Sequence, residues 1–277
     1  SVNAPIAQMF RDQEKPVWSE IELAYQASKG RIAAITGTNG KTTTTALTGE
    51  IMKGYYESSF VVGNIGIPYT SVALDTKEDS VTTAEISSFQ LETIHEFHPQ
   101  ISAILNITPD HLNRHHTMDC YIKTKEAITT NQTNDEVCVL NYEDEVLRAF
   151  GESAPVHVVW FSSVRKLAEG FYLDGEEIFY AHDGNTEKVI NVNDLNLLGR
   201  HNYENVMAAT AMSVNFGVPM EKIVEVLKRF QAVEHRIEYV TEKRGVRFYN
   251  DSKGTNPDAA IHRTDSLNSG IRVGSLG

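Results

Sequence analysis

Short apolar runs alternate with stretches of helical period along most of the chain. Residues 31–36 (RIAAIT) form a near-continuous apolar run that passes straight into a glycine turn, and a helix is expected over 41–53. Comparable runs at 59–62, 81–86, 101–106, 136–140 and 157–161 predict further strands. Strands that are apolar throughout, separated by helical segments, predict an α/β fold: a mostly parallel sheet with flanking helices on both faces. The pattern then changes. Residues 170–181 alternate around Asp174-Gly175, a hairpin signal. Helices are expected over 202–215 and 220–230, with a break at 217–219, and strand-like runs follow at 237–241 and 246–250. These place a domain boundary near Val233. Residues 262–277 are Ser- and Gly-rich without a period and read as an irregular tail.

Composition narrows the field only slightly. At 41% hydrophobic and 22% charged, the 277 residues have the balance of an ordinary globular protein. A net charge of −12 argues against a nucleic-acid partner, since phosphate backbones need basic surfaces. Cys120 and Cys138, outside any C-x-x-C pair, suggest a reduced setting. No apolar run is long enough to span a bilayer, and residues 1–16 lack the order of a signal peptide. A cytoplasmic protein with no membrane partner is the expectation.

The strongest chemical feature is Gly37-Thr38-Asn39-Gly40-Lys41-Thr42, between a predicted strand and a predicted helix. There, glycines let backbone N–H groups turn inward on an anion. The helix N-terminus adds positive potential, Lys41 supplies a charge and the Thr42 hydroxyl offers an oxygen to Mg²⁺. The general phosphate-loop pattern would put glycine at position 35, where Ile35 stands. A glycine turn that merely caps a helix is the simpler alternative. Glu85 ends a predicted strand at its carboxyl edge, where open α/β sheets place ligands, so it and Thr42 are candidates for one Mg²⁺. Asn202 and Asn205 share a helix face, although Asn202 would also serve as an N-cap.

The short loop G-T-N-G-K-T resembles that of the Mur ligases and folylpolyglutamate synthetases. Residues 63–66 (GNIG), 85–92 (EISSFQLE), 106–112 (NITPDHL), 199–205 (GRHNYEN), 234–236 (EHR) and 250–256 (NDSKGTN) match Mur ligase motifs in order, from about Lys15 to Ile261. The run at 85–92 is similar to the D-glutamate-adding members. The resemblance implies an ATP-dependent ligase of bacterial cell-wall precursor synthesis, with UDP-N-acetylmuramoyl-L-alanine and D-glutamate as small-molecule substrates and an acyl phosphate between them. ATP and two Mg²⁺ ions are the implied cofactors.

The resemblance also implies residue roles. Gly37, Thr38, Asn39, Gly40, Lys41, Thr42 and Thr43 would hold phosphates, and Asn202, Asn205, Arg236 and Asp251 the rest of the nucleotide. Lys41, Glu85, His111 and Lys125 would be catalytic. Thr42 and Glu85 would hold one metal, and His111 with a carbamylated Lys125 the other. On residues alone Lys125 is a solvated helix lysine and Lys123 competes with it; the Tyr121-x-x-x-Lys125 spacing favours Lys125. Asn64, Ser87, His111, Lys253 and Thr255 would meet substrates. His115 and His116 have no matching role and read as surface or outlying residues. The implied division is 1–30 as the end of a UDP-binding domain and its linker, 31–233 as the ATP-binding domain, and 234–277 as the start of a C-terminal domain. Another ligase of the superfamily, or a nucleotide-binding module without catalysis, remains the alternative.

Overall fold

The computed structural model describes residues 4–231, 238–243 and 246–250. Helices α1 (Pro5–Asp12) and α2 (Glu20–Ala27) precede strand β1 (Arg31–Thr36) and helix α3 (Lys41–Lys53). Next come β2 (Ser59–Gly63), β3 (Val81–Glu85), α4 (Ser88–Leu91), β4 (Ile101–Ile104), α5 (Leu112–His115) and α6 (Met118–Glu126). The chain continues through β5 (Val137–Asn141), α7 (Glu145–Gly151), β6 (His157–Ser162), β7 (Gly170–Asp174), β8 (Glu177–His182) and β9 (Asn185–Asn191). Helices α8 (Arg200–Asn215) and α9 (Met220–Arg229) follow, then β10 (Glu238–Lys243) and β11 (Val246–Asn250).

Among the described residues, β1 to β9 form one sheet in the order β2-β3-β1-β4-β5-β6-β7-β8-β9. Pairing is parallel as far as β7 and antiparallel for β7–β8 and β8–β9. The mostly parallel sheet expected from the apolar runs is therefore present. The hairpin at 170–181 extends that same sheet and is not a region apart. β9, which carries exposed polar residues over its first half, gave no apolar signal and was not expected. Strands β10 and β11 pair antiparallel.

Both faces of the sheet are covered because successive strand residues point opposite ways. Ala33 and Ile35 of β1 join Leu47, Ile51, Met207 and Ile223 in one core, under α3, α8 and α9. Ile32 and Ala34 join Ile21, Leu91, Tyr121 and Leu147 in the other, under α2, α4, α6 and α7. α3 is a poor helix by propensity, with four consecutive threonines. All four are buried, so packing against sheet and α8 outweighs the local preference. None of the described helices is long and apolar enough to cross a membrane.

Helix α2 is fastened chiefly by a buried carboxylate. Glu22, fully buried, accepts hydrogen bonds from the backbone N–H groups of His95, Glu96 and Phe97 at 2.7–3.0 Å and from Gln26 Nε2 at 2.9 Å. Burial alone would raise its pKa; the hydrogen bonds outweigh burial and hold it below the ordinary 4.5. Glu22→Gln should therefore cost about 2 kcal/mol of stability at neutral pH. Because the folded-state pKa lies below the unfolded one, the parent's advantage is complete above pH 4.5 and fades as pH falls through the lower folded value. Denaturant titrations of both proteins at neutral and acid pH check this; an equal gap at both would contradict it.

Candidate functional site

The turn between β1 and α3 lies where the sheet order reverses: from β1 the chain builds β2 and β3 on one side, then β4 and β5 on the other. Ile35, at the position where a longer loop would have glycine, is a fully buried strand residue paired with Glu85 and Ala103. Gly40 caps α3 in a left-handed conformation (φ 85°), and a Cβ there would stand 2.3 Å from Asn205 Oδ1. Glycine is thus required twice over, by φ and by the close approach of α8.

The loop is held by side chains from far along the sequence. Asn106 Oδ1 accepts from the Asn39 N–H at 2.7 Å, and Asn106 Nδ2 donates to the Asn39 carbonyl at 3.1 Å. The Thr38 hydroxyl donates to the Thr108 carbonyl and shares a hydrogen bond with the Tyr121 hydroxyl, both at 3.1 Å. Burial pushes the Tyr121 phenol up to about 12, the Thr38 bond acting against it, so the phenol stays protonated. Lys41 Nζ donates to the carbonyls of Gly37 and Thr38, each at 2.8 Å. Thr42 and Thr43 lie buried in the first turn of α3.

Glu85 ends β3 beside this loop, in register with Ile35 on one side and Gly63 on the other. Its Oε1 accepts from Asn64 Nδ2 at 2.9 Å. Its Oε2 is buried without a hydrogen-bond partner. A buried, half-satisfied carboxylate is costly unless a cation completes it. Two residues on, Ser87 caps α4 reciprocally with Gln90: Ser87 Oγ accepts from the Gln90 N–H at 3.3 Å, and Gln90 Oε1 accepts from the Ser87 N–H at 2.9 Å.

Lys125 is not a solvated helix lysine. It is 1% exposed, and its Nζ donates to the Gly37 carbonyl at 2.8 Å, the same oxygen that Lys41 reaches. Burial, and then the Lys41 charge, hold its pKa well below the ordinary lysine value, with Asp110 pulling the other way. Lys123, the competing candidate, is exposed. His111 has positive φ (51°), and its side chain is half-exposed. Its N–H donates to Asp110 Oδ1 at 2.8 Å, and its ring lies 5.0 Å from that of Phe89.

Asn202 and Asn205 do share a face of α8, but both amides are engaged within the protein. Asn202 Nδ2 donates to the Leu198 carbonyl at 2.8 Å, and Asn205 Nδ2 donates to Asn202 Oδ1 at 3.3 Å. Buried Asn205 also accepts from Thr44 Oγ1 at 3.2 Å, which ties α8 to the helix after the loop. The expected N-cap of α8 at Asn202 is displaced; Gly199 caps the helix. Arg236, Asp251, Lys253 and Thr255 lie outside the described residues.

His116 is exposed, but the surface reading fails for His115, which is 2% exposed. Its Nε2 shares a 2.9 Å hydrogen bond with Ser88 Oγ, and burial lowers its pKa, the Glu92 charge opposing. With the proton placed on Nδ1, which faces Glu92 at 3.7 Å, Nε2 accepts from the serine. Asn106 too was missed as a loop holder. Two adjacent histidines, or an asparagine after a strand, carry no local mark of which one turns inward.

A glycine loop at the switch point of a mostly parallel sheet, with a buried carboxylate at the neighbouring strand end, defines an α/β domain of the P-loop class. Residues 35–213 match the Mur ligase middle domain, and the chain belongs to that family. It is 60% identical over 266 residues to a UDP-N-acetylmuramoylalanine–D-glutamate ligase of Lachnospira eligens, covering 96% of this chain and 59% of that protein. A ligase of the same name from Clostridioides difficile is 45% identical over 266 residues, with the same coverage of each chain. The chain thus spans about three-fifths of the length of these relatives. Among solved structures, MurF from Acinetobacter baumannii superposes with a TM-score of 0.69 at 20% identity, covering 90% of this chain and 56% of that one. MurF ligase from Thermotoga maritima in complex with ADP gives 0.64 at 18%, covering 90% and 60%. At these identities the likeness speaks for the fold.

Proposed function

We propose that this chain is the nucleotide- and metal-binding body of an enzyme that joins D-glutamate to UDP-N-acetylmuramoyl-L-alanine using ATP. The observation that carries the reading is the 60% identity to the Lachnospira eligens ligase over nearly the whole chain. In the proposed reaction the alanyl carboxylate attacks the γ-phosphorus and ADP leaves. The amine of D-glutamate then attacks the acyl phosphate carbon, and phosphate leaves as the amine gives up its proton. Both steps bring anions together, so positioning and charge neutralisation supply most of the catalysis.

The residues fit that task. The glycine loop and the α3 N-terminus suit a nucleotide phosphate, and the Lys41 ammonium already lies on the loop carbonyls of Gly37 and Thr38. Thr42 and Glu85 would hold Mg²⁺, and the orphaned Glu85 Oε2 supports this. The ion would neutralise phosphate charge. Among the described residues no group of three or more His, Cys, Asp or Glu side chains is placed to hold a metal ion by itself. Phosphate and water oxygens would therefore complete the shell, as is common for Mg²⁺. Asn64 would orient Glu85 and, with Ser87 and His111, meet the muramoyl substrate. Arg236, Asp251, Lys253 and Thr255 stay assigned by resemblance alone, as do the adenosine contacts of Asn202 and Asn205 and the division at about residue 233.

For Lys125 we infer carbamylation. Burial lowers the pKa of this amine and so favours its uncharged form, which attacks CO₂; the new N–C bond replaces one N–H, whose proton goes to solvent. The resulting anion would suit a second Mg²⁺ together with His111. Calorimetry of this chain with ATP, in Mg²⁺ and in EDTA, tests the whole reading. Binding that Mg²⁺ strengthens supports it, and absence of any ATP binding counts against it. Under ¹³C-bicarbonate, a carbamate resonance that Lys125→Ala removes is the expected result. No such resonance in the parent chain would sink the carbamate.

A further inference from the structure

We propose that His115 is a positioning residue. Bonded to Ser88 and set beside Tyr121, its ring props Phe89 against the His111 imidazole and so fixes the spacing of the 85–92 and 110–116 segments. The proposal rests on the reading above that His111 serves the reacting end of the site.

Two short segments, about twenty residues apart, interleave through side chains on one face of each. From the first come Ser88, Phe89 and Glu92; from the second, His111, Arg114 and His115. The Phe89 ring stacks on His115 with centroids 5.6 Å apart and planes 15° from parallel. On His111 it packs at 5.0 Å and 57°. The Arg114 guanidinium lies 5.4 Å from the same ring and is itself held in a fork by both oxygens of Glu92.

His115 anchors the assembly from below. Ser88 Oγ bonds its Nε2, and Tyr121 packs at 5.2 Å. Tyr121 in turn reaches the phosphate-loop residue Thr38 through its hydroxyl. One buried imidazole thus joins the segment after Glu85, the His111 segment and the helix that carries Lys125.

Phe89 is itself 42% exposed, so core formation does not explain an aromatic ring there. Support for His111 does. The His111 backbone has positive φ, and its Nε2 stands 3.7 Å from Asp110 Oδ2, beyond hydrogen-bond length. The ring contact with Phe89 restrains an imidazole that its own polar neighbour holds loosely.

The test is NMR of the histidine ring protons in this chain, with His111→Gln used to assign the His111 signals. In the parent, the Phe89 ring current should displace them from the position of an exposed histidine. His115→Gln and Phe89→Leu should both return them towards that position. Phe89→Leu changes a half-exposed side chain and keeps the fold, so it serves if His115→Gln does not fold. His111 signals that stay displaced in His115→Gln, or that Phe89→Leu leaves unmoved, would overturn the proposal.

Calorimetry adds a second arm. Phe89→Leu should lower ATP affinity in Mg²⁺ by about tenfold and leave the affinity in EDTA unchanged. Equal losses in both would mark a general scaffold role and also overturn it. If the parent binds no ATP at all, the proposed function fails while the ring-proton shifts still decide the role of His115.

Discussion

Lys41→Ala should lower the affinity of this chain for Mg-ATP by about 100-fold, close to 2.7 kcal/mol, while leaving its fold intact. In the structure the Lys41 ammonium rests on the carbonyls of Gly37 and Thr38. Those are neutral acceptors, and a phosphate oxygen in the loop would offer the same charge a stronger, charge-assisted bond. The Lys41 side chain would make this exchange, while Asn106 and Thr38 hold the loop backbone in place. Removing the ammonium also leaves Lys125 as the lysine on the Gly37 carbonyl and relieves one source of its depressed pKa. Lys41→Arg should rescue poorly, because a planar fork does not replace a compact ammonium. Calorimetry measures the affinity and thermal unfolding reports the fold. Unchanged affinity in Lys41→Ala would mean that the loop does not hold phosphate.

Glu85→Gln should separate stability from metal binding. A buried carboxylate with one partnered oxygen and one orphan is a strained feature of the metal-free protein. The amide is close in shape and removes the buried charge. It can keep its carbonyl oxygen towards Asn64 Nδ2, so the metal-free variant should be as stable as the parent or more so, by about 1 kcal/mol. Mg²⁺ should then add little to its ATP affinity, whereas in the parent it should add about 100-fold. Melting temperature without metal and calorimetry with and without Mg²⁺ give the two readings. A variant that loses stability in EDTA yet keeps its Mg²⁺ dependence would make Glu85 a structural carboxylate.

Legibility was uneven, for identifiable reasons. β1, the loop and α3 read cleanly because an apolar strand, a glycine turn and a lysine follow one another within a dozen residues. Strands β2 to β6 were visible because each carries a short run of apolar or β-branched residues that the sheet buries wholly or in part. β9 was not, since its exposed first half reads as polar loop. Helix α2 was not expected either; its anchor is Glu22 reaching backbone N–H groups some seventy residues ahead. Lys125 read as solvated on composition and as a ligand by resemblance; composition misled because Lys125 lies with Tyr121 on the one buried face of α6.

By itself the sequence determined most strands of the sheet, the strand–glycine loop–helix unit of β1 and α3, and the family. Each of these depends on residues close together along the chain. Only the tertiary structure decided that Asn106 clamps the loop and that Lys41 and Lys125 share one carbonyl. The fold alone also turned His115 inward while His116 stayed in water. Burial and hydrogen-bond geometry belong to the surroundings that a fold assembles, and identical side chains a residue apart acquire different chemistry from them.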